Sequence, residues 1–488
     1  MSDSAVRELQ PQEVWKNFAD INAIPRASKK EEQIIAFMVD FGQSLGLETT
    51  VDPAGNVIIR KPATPGMEDR KTVVMQSHLD MVHQKNADSD FDFDTEGIRM
   101  LVDGDWVKAD GTTLGADNGL GVAAIMGILS SSNIAHPSLE ALFTIDEETG
   151  MTGAMKLEPG FLKGEILLNL DTEEDDEIDI GCAGGIDITA TKTIETEEVG
   201  SDFKSYRIAV TGLQGGHSGM DIHRGFGNSN KIMNEILMTV ADKIRLNSIA
   251  GGSLRNAIPR ESFAKVFISS NSLDVAIERF EEVSQSIRRR HSEIEPDLEI
   301  RLTADETGDQ KQVVSQKDQE ALLRSVDGAL NGVFKMSSEI PDLVEASNNI
   351  AKVTVSEGSM KVECLARSSV EGSKNEVMEL LRNNFEKFGF EVEFSGSYPG
   401  WSPNGNSPIL KVLKRVYVDL FSEEPKVVAC HAGLECGIIG SHYPNLDMIS
   451  FGPTIKGAHS PDERASISSV KRFWAFLLEI LRNVPSRN

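Results

Sequence analysis

Between residues 70 and 171 the apolar positions fall in short blocks rather than in helical stripes. Thr72-Val-Val-Met-Gln76, Leu142-Phe-Thr-Ile145 and Ile166-Leu-Leu-Asn-Leu170 are rich in β-formers, with turns or helical text between them. Residues 11 to 48 read as helical, with Ser28-Lys-Lys-Glu31 as a capping box before Ile34, Phe37, Met38 and Phe41. Asp117 stands before the helical stretch Asn118 to Ser130 and is placed to cap it. Strands alternating with helices predict an α/β layer with a mixed, mostly parallel sheet.

After Gly184-Gly185 the pattern changes. Phe263 to Ile268, a helix with Leu273, Ile277, Phe280, Val283 and Ile287 on one face, and Leu298 to Leu302 form a β-α-β unit. Met360 to Ala366, a helix with Val377, Leu381, Phe385 and Phe388 on one face, and Phe390 to Phe394 repeat it. From Tyr398-Pro-Gly-Trp the text returns to α/β character and ends in an amphipathic helix, Val470 to Leu481. The expected organisation is a discontinuous outer domain, 1–185 and 397–488, with a two-lobed α+β domain, 186–396, inserted.

Polar residues follow each early block at once. The first leads to His78-Leu-Asp80, the second to Asp146-Glu147-Glu148, the third to Asp171. In open α/β sheets ligands bind at the carboxyl ends of strands, so these groups are aimed at one crevice. So many carboxylates need a compensating positive charge, and with few basic residues beside them a metal is the simplest candidate. His78 and Asp80, at i and i+2, share one side of an extended segment, where Asp80 suits the carboxylate that orients a metal-bound imidazole. Glu147 and Glu148 are adjacent and point apart, which suits one ligand and one base. A further histidine, His459, sits on the Gly-rich loop Gly452-Pro-Thr-Ile-Lys-Gly-Ala-His-Ser-Pro-Asp-Glu463, after a predicted strand Met448 to Phe451.

Composition narrows the partners. The 488 residues carry a net charge of −27, which disfavours nucleic acid and anionic membrane as partners. No apolar run approaches the roughly 18 residues of a membrane span, and the first residues lack the basic start and apolar core of a secretory signal. Cys182, Cys364, Cys430 and Cys436 show no CxxC spacing and read as buried thiols of a reducing compartment. A cytoplasmic protein is expected.

The motifs SHLDMV (77–82), GTTLGADNG (111–119), DEETG (146–150), NLDTEE (169–174), GGHSG (215–219), LRNAIPR (254–260), HAGLEC (431–436) and GPTIKGAHSPDE (452–463) together resemble the M20 metallopeptidases, and the resemblance runs nearly end to end. It implies a zinc-peptidase-like catalytic domain and a two-metal centre, usually of zinc, with cobalt or manganese also suited to such donors. His78, Asp117 and Asp171 would hold one metal; Asp117, Glu148 and His459 would hold the other, Asp117 bridging. Glu147 would be general base on the metal-activated water, Asp80 would orient His78, and His217 would reach from the inserted lid domain to the oxyanion. Asn256 and Arg367 would contact the substrate's backbone and C-terminal carboxylate, and Glu435 would line the substrate pocket. The implied activity is hydrolysis of dipeptides, including Xaa-His dipeptides such as carnosine. A tripeptidase, a carboxypeptidase or an N-acyl amino acid deacylase of the same family is the alternative. The resemblance also suggests a homodimer.

Two other patterns are set aside. Gly119-Leu-Gly121-Val-Ala-Ala124 matches a dinucleotide-binding GxGxxA, but loop-like text precedes it and Asp117 would crowd a pyrophosphate. Glu173-Glu-Asp-Asp-Glu177 lacks EF-hand spacing and is expected to be a solvated acidic loop.

Overall fold

The three β-rich blocks are the strands Val73–His78, Leu139–Thr144 and Ile166–Asn169, and every residue in them is buried. This is a computed structural model, and it describes residues 3–305, 311–338, 340–356 and 358–487. Val73–His78 lies between the other two and parallel to both, and Asp447–Ser450 adds a parallel neighbour beside Ile166–Asn169. Strands covered on both faces lose the apolar–polar alternation, which is why these blocks read as continuous. Antiparallel strands, Val57–Lys61 on one side and Glu177–Cys182 on the other, extend the sheet outward.

The chain forms two compact units. The first comprises Met1–Cys182, Trp401–Ala429 and Leu434–Asn488; the second comprises Ala183–Gly400 and Cys430–Gly433. The divisions therefore fall a few residues from 185 and 397, and the short Cys430–Gly433 segment goes with the second unit.

Residues 11 to 48 are not one helix. Gln12–Asn22 and Glu32–Ser44 are separate helices, and a strand, Glu48–Val51, begins within the predicted span. The capping box does not form, because Glu31 is itself the N-cap residue and caps nothing with its side chain. Its carboxylate accepts the Asp146 N–H at 3.0 Å, while Ser28 Oγ donates to Asp80 Oδ2 at 2.8 Å. Distant partners took both side chains that a local cap would have used.

The helix Ala116–Ser130 is buried on nearly all sides. Its glycines explain the GxGxxA pattern by packing. A Cβ on Gly121 would stand 2.4 Å from Ser77 Oγ and 2.7 Å from the Leu170 carbonyl, and one on Gly119 would meet Arg26 and Phe18. Asp117 does not cap this helix. Its backbone is non-helical (φ −82°, ψ 110°), and its carboxylate turns to two histidines instead.

In the second unit a nine-stranded sheet carries both β-α-β repeats. Ser262–Ser269 and Glu299–Ala304 flank Phe203–Thr211, which is antiparallel to each. Ser359–Ser368 and Glu391–Tyr398 flank Gly184–Thr193 in the same way. Each repeat is thus a split β-α-β with a foreign strand inserted. The two lobes share one sheet, and one apolar cluster runs from Ile186 to Phe390 beneath both.

The acidic run 173–177 is half-buried and matched with bases rather than freely solvated. Glu174 pairs with Lys456, Asp175 with Arg472 at 3.5 Å, and Asp176 with Lys426 at 2.8 Å.

Buried polar side chains also cross the first sheet just before the strand ends. Thr144 and Gln76 donate to Glu435, Asn169 donates to Gln76, Ser450 donates to Asn169, and Thr172 donates to Asp179 beside Ser450. Asn169→Leu would strand the Gln76 acceptor and the Ser450 donor. Each stranded group costs about 1–3 kcal/mol, so the urea midpoint should fall by the equivalent of roughly 2–6 kcal/mol. A loss below about 0.5 kcal/mol, the range of ordinary surface changes, would deny the chain of bonds any structural weight.

Candidate metal centre

His78, Asp117, Glu147, Glu148, Asp171 and His459 meet at the carboxyl ends of the parallel strands in the first unit. His78 ends its strand, Asp171 follows Ile166–Asn169 by two residues, and Glu147 and Glu148 open a short helix beyond Leu139–Thr144. The centre is organised on Asp117. Its Oδ1 lies 3.1 Å from His78 Nε2, and its Oδ2 lies 3.2 Å from His459 Nε2. Asp171 Oδ1 is 3.4 Å from the same His78 nitrogen, and Glu148 Oε2 is 3.0 Å from the same His459 nitrogen. Two groups of donors, His78/Asp117/Asp171 and Asp117/Glu148/His459, each gather within 4.8 Å and share one carboxylate.

Glu147 belongs to neither set. It comes within 4.8 Å of His78 and Glu148, so the adjacent glutamates diverge less than an extended backbone would make them. As neighbours at the start of a short helix they stand roughly 100° apart around its axis, with Glu148 on the His459 side. Asp80 accepts the backbone N–H groups of Glu147 at 3.0 Å and Glu148 at 3.2 Å. It also faces His78 Nδ1, through its backbone carbonyl at 3.1 Å and its carboxylate at 3.5 Å. One side chain therefore fixes both the glutamate pair and the imidazole.

The electrostatics are those of a site short of positive charge. Burial pushes the Glu147 carboxyl well above the usual carboxylate range, and the charges of Asp171, Glu148 and Glu435 add to it. Burial also raises Glu148 and Asp171. The His459 imidazole, bonded to Asp117 and Glu148, is pushed up to about 11. Burial opposes a charged His78, yet Asp171, Asp117 and Asp80 together hold its pKa well above normal. Stranding ions in such a site costs on the order of several kcal/mol each. Glu148 Oε1 is buried without a hydrogen-bond partner. Imidazoles and carboxylates, two clusters sharing one bidentate-capable aspartate, and an orphaned carboxylate oxygen all fit a pair of divalent cations.

Two residues that sequence reasoning missed support the centre. Arg26 is fully buried, and burial lowers its pKa to about 10, so it stays charged at neutral pH. Glu463 is buried and accepts four backbone N–H groups, from Leu114 to Asp117. Glu463 lay within the quoted GPTIKGAHSPDE motif, whereas nothing local marked Arg26.

Glu435 does not line an open pocket. It is fully buried, accepts hydrogen bonds from Gln76 at 2.7 Å and Thr144 at 2.6 Å, and has its pKa raised to about 8 by burial.

The second unit holds the other candidates. His217 Nε2 is 3.5 Å from the Arg367 guanidinium, which donates to Tyr398 Oη at 3.0 Å. Arg367 is buried, whereas Asn256 sits on an exposed turn. Pairing of Gly216–His217 with Ala257–Ile258 holds that turn beside His217, and the Asn256 carbonyl accepts the Ser218 N–H at 2.8 Å. A Cβ on Gly185 would meet the Tyr398 ring at 2.7 Å, so Gly185 makes room for the side chain that steadies Arg367.

Residues 74–483 match the model of peptidase family M20/M25/M40. The chain belongs to peptidase family M20. It is 41% identical to the cytosol non-specific dipeptidase of Escherichia coli K12 over 99% of this chain and 100% of that one. It is also similar to the crystal structure of an aminoacylhistidine dipeptidase from Vibrio alginolyticus, with a TM-score of 0.90, 42% identity and 99% of each chain covered. A tripeptidase structure from Staphylococcus aureus shares the fold alone, at a TM-score of 0.56 and 16% identity, over 98% of this chain and 99% of that one.

If the donors divide into two sets, Glu148→Gln should remove one metal and spare the other. Elemental analysis after dialysis against divalent metal should then give half the metal per chain that the parent gives. Retention of both would remove Glu148 from the ligand set.

Proposed function

We propose that this M20 peptidase is a metal-dependent dipeptidase that accepts Xaa-His dipeptides such as carnosine. Asp117 carries the reading, because its two oxygens face two histidines of separate donor sets. End-to-end identity of 41% to a protein named a dipeptidase supports the substrate class. The first unit would be the catalytic domain and the second the lid. Zinc is the metal the donors suit best, with cobalt and manganese next.

His78, Asp117, Asp171, Glu148 and His459 would hold two divalent ions, which when bound would supply Lewis acidity toward the scissile carbonyl and acidify water. Glu147 takes the proton from the attacking water and returns it to the leaving amine. Asp80 orients His78 and holds the amides of Glu147 and Glu148. His217 serves as a donor to the tetrahedral oxyanion. Its Nδ1 accepts the N–H groups of Gly219 at 3.3 Å and Met220 at 3.1 Å, which leaves Nε2 as the ring nitrogen facing Arg367. Arg367 binds the C-terminal carboxylate and Asn256 the substrate backbone. Among the described residues no helix is long and apolar enough to cross a membrane, and the relative's cytosolic name favours a cytoplasmic site of action. A homodimer completes the reading, and the edge strands Glu299–Ala304 and Glu391–Tyr398 offer backbone for such pairing.

Histidine release from β-alanyl-histidine and α-Xaa-His dipeptides tests the substrate class. Release should stop on chelation and return with zinc, and a metal-loaded chain that cleaves only tripeptides or N-acyl amino acids would overturn it. Glu147→Gln should keep both metals and lose about 10²–10⁴-fold in kcat, the contribution of a positioned acid–base group. Near-normal turnover would refute its role.

A further inference from the structure

The bridging position of Asp117 requires that three separate loops be held in register. His78 ends a strand, Asp117 opens a buried helix, and His459 lies on a loop more than three hundred residues further along the chain.

Two buried residues outside the donor set tie these loops together. Glu463 Oε2 accepts the N–H groups of Leu114 at 2.7 Å and Gly115 at 3.0 Å, and Oε1 accepts those of Ala116 at 2.7 Å and Asp117 at 3.3 Å. Glu463 is four residues from His459, and its own N–H donates to the Ser460 carbonyl at 3.0 Å. The loop that bears His459 therefore grips the loop that bears Asp117. Arg26 does the same from the other side. Its guanidinium donates to the Gly115 carbonyl at 2.6 Å, to Leu79 at 3.0 Å, to Asp80 at 3.2 Å, and to Asn22 Oδ1 at 3.1 Å. The peptide units flanking Gly115 are thus held from opposite ends, amide by Glu463 and carbonyl by Arg26. Gly115 has φ +70°, and a Cβ there would stand 2.4 Å from the guanidinium, so only glycine admits the contact.

We propose that Glu463 and Arg26 form a buried clamp that positions Asp117 between the two histidines and so sets the affinity of the metal pair. They are positioning residues and touch neither metal nor substrate. The proposal rests on the metal-centre reading above. In Glu463→Gln one oxygen remains to accept, while the new NH2 group confronts two N–H donors, so two of the four bonds are lost. Arg26→Lys replaces a fork that reaches three backbone carbonyls with a single ammonium.

Hydrogen exchange of the metal-free protein reads the clamp without any metal. The amides of residues 114–117 should exchange at least ~10-fold faster in Glu463→Gln, equal to about 1.4 kcal/mol of lost protection, with the rest of the first unit unchanged. Zinc titration should then show a midpoint raised about 10–100-fold, the usual effect of losing a partner behind the ligands. KM at saturating zinc should stay near the parent value, and excess zinc should restore most of kcat. Arg26→Lys should shift the zinc midpoint in the same direction, and it decides the matter if Glu463→Gln does not fold. An unshifted midpoint in a folded variant, whether or not exchange is faster, would overturn the proposal. A parent chain that takes up no metal would overturn the metal-centre reading itself, a different result from a normal parent midpoint that the variants fail to move.

Discussion

Asp117 meets His78 with one carboxylate oxygen and His459 with the other, and the first unit is built so that it can do so. Parallel strands deliver His78 and Asp171 from one sheet edge at fixed spacing. The helix behind Asp117 comes close to those strands because Gly121 has no side chain to hold it off. Buried polar bonds among Thr144, Gln76, Asn169 and Ser450 hold the strands just before their ligand-bearing ends. Burial raises the carboxyls of Glu147, Glu148 and Asp171, so charging all of them in this crevice is costly. The same shortage of positive charge that makes the site costly makes it a strong receptor for divalent cations.

Carboxylates near the centre divide into two kinds. Asp117, Glu148 and Asp171 point their oxygens at imidazoles and at one another. Asp80 and Glu463 point theirs mainly at backbone amides, of Glu147 and Glu148 in one case and of Leu114 to Asp117 in the other, and Asp80 also faces His78 Nδ1. The second kind holds the first in place. This answers why two glutamates can stand side by side at 147 and 148. Their backbone is secured by Asp80, so their side chains are free to serve chemistry instead of local stability.

Much of this was legible in the sequence where chemistry and local pattern coincide. Buried parallel strands announce themselves as unbroken apolar blocks, and the polar residue that follows each block marks the sheet's carboxyl edge. The repeated β-α-β pattern was visible too, although text alone could not show that each repeat splits around a strand from elsewhere. The misreadings share one cause. Ser28 and Glu31 looked like a local cap but are taken by Asp80 and Asp146. Asp117 looked like a helix cap but faces two histidines. The acids at 173–177 looked solvated but meet Lys456, Arg472 and Lys426 from the far end of the chain. Glu435 looked like a pocket residue but is sealed beneath the strands. A polar side chain's partner is a fact of three dimensions, and Arg26, with no motif around it, was the hardest to foresee.

The central proposal is that Asp117 is the carboxylate shared by two divalent ions. Anomalous diffraction at the zinc edge, from crystals grown with zinc, tests it most directly. Two peaks about 3.5–4 Å apart, one on each Asp117 oxygen, with His78 and Asp171 at the first and Glu148 and His459 at the second, are the predicted result. A single peak, or zinc bound elsewhere while Asp117 stays with the histidines alone, would contradict it.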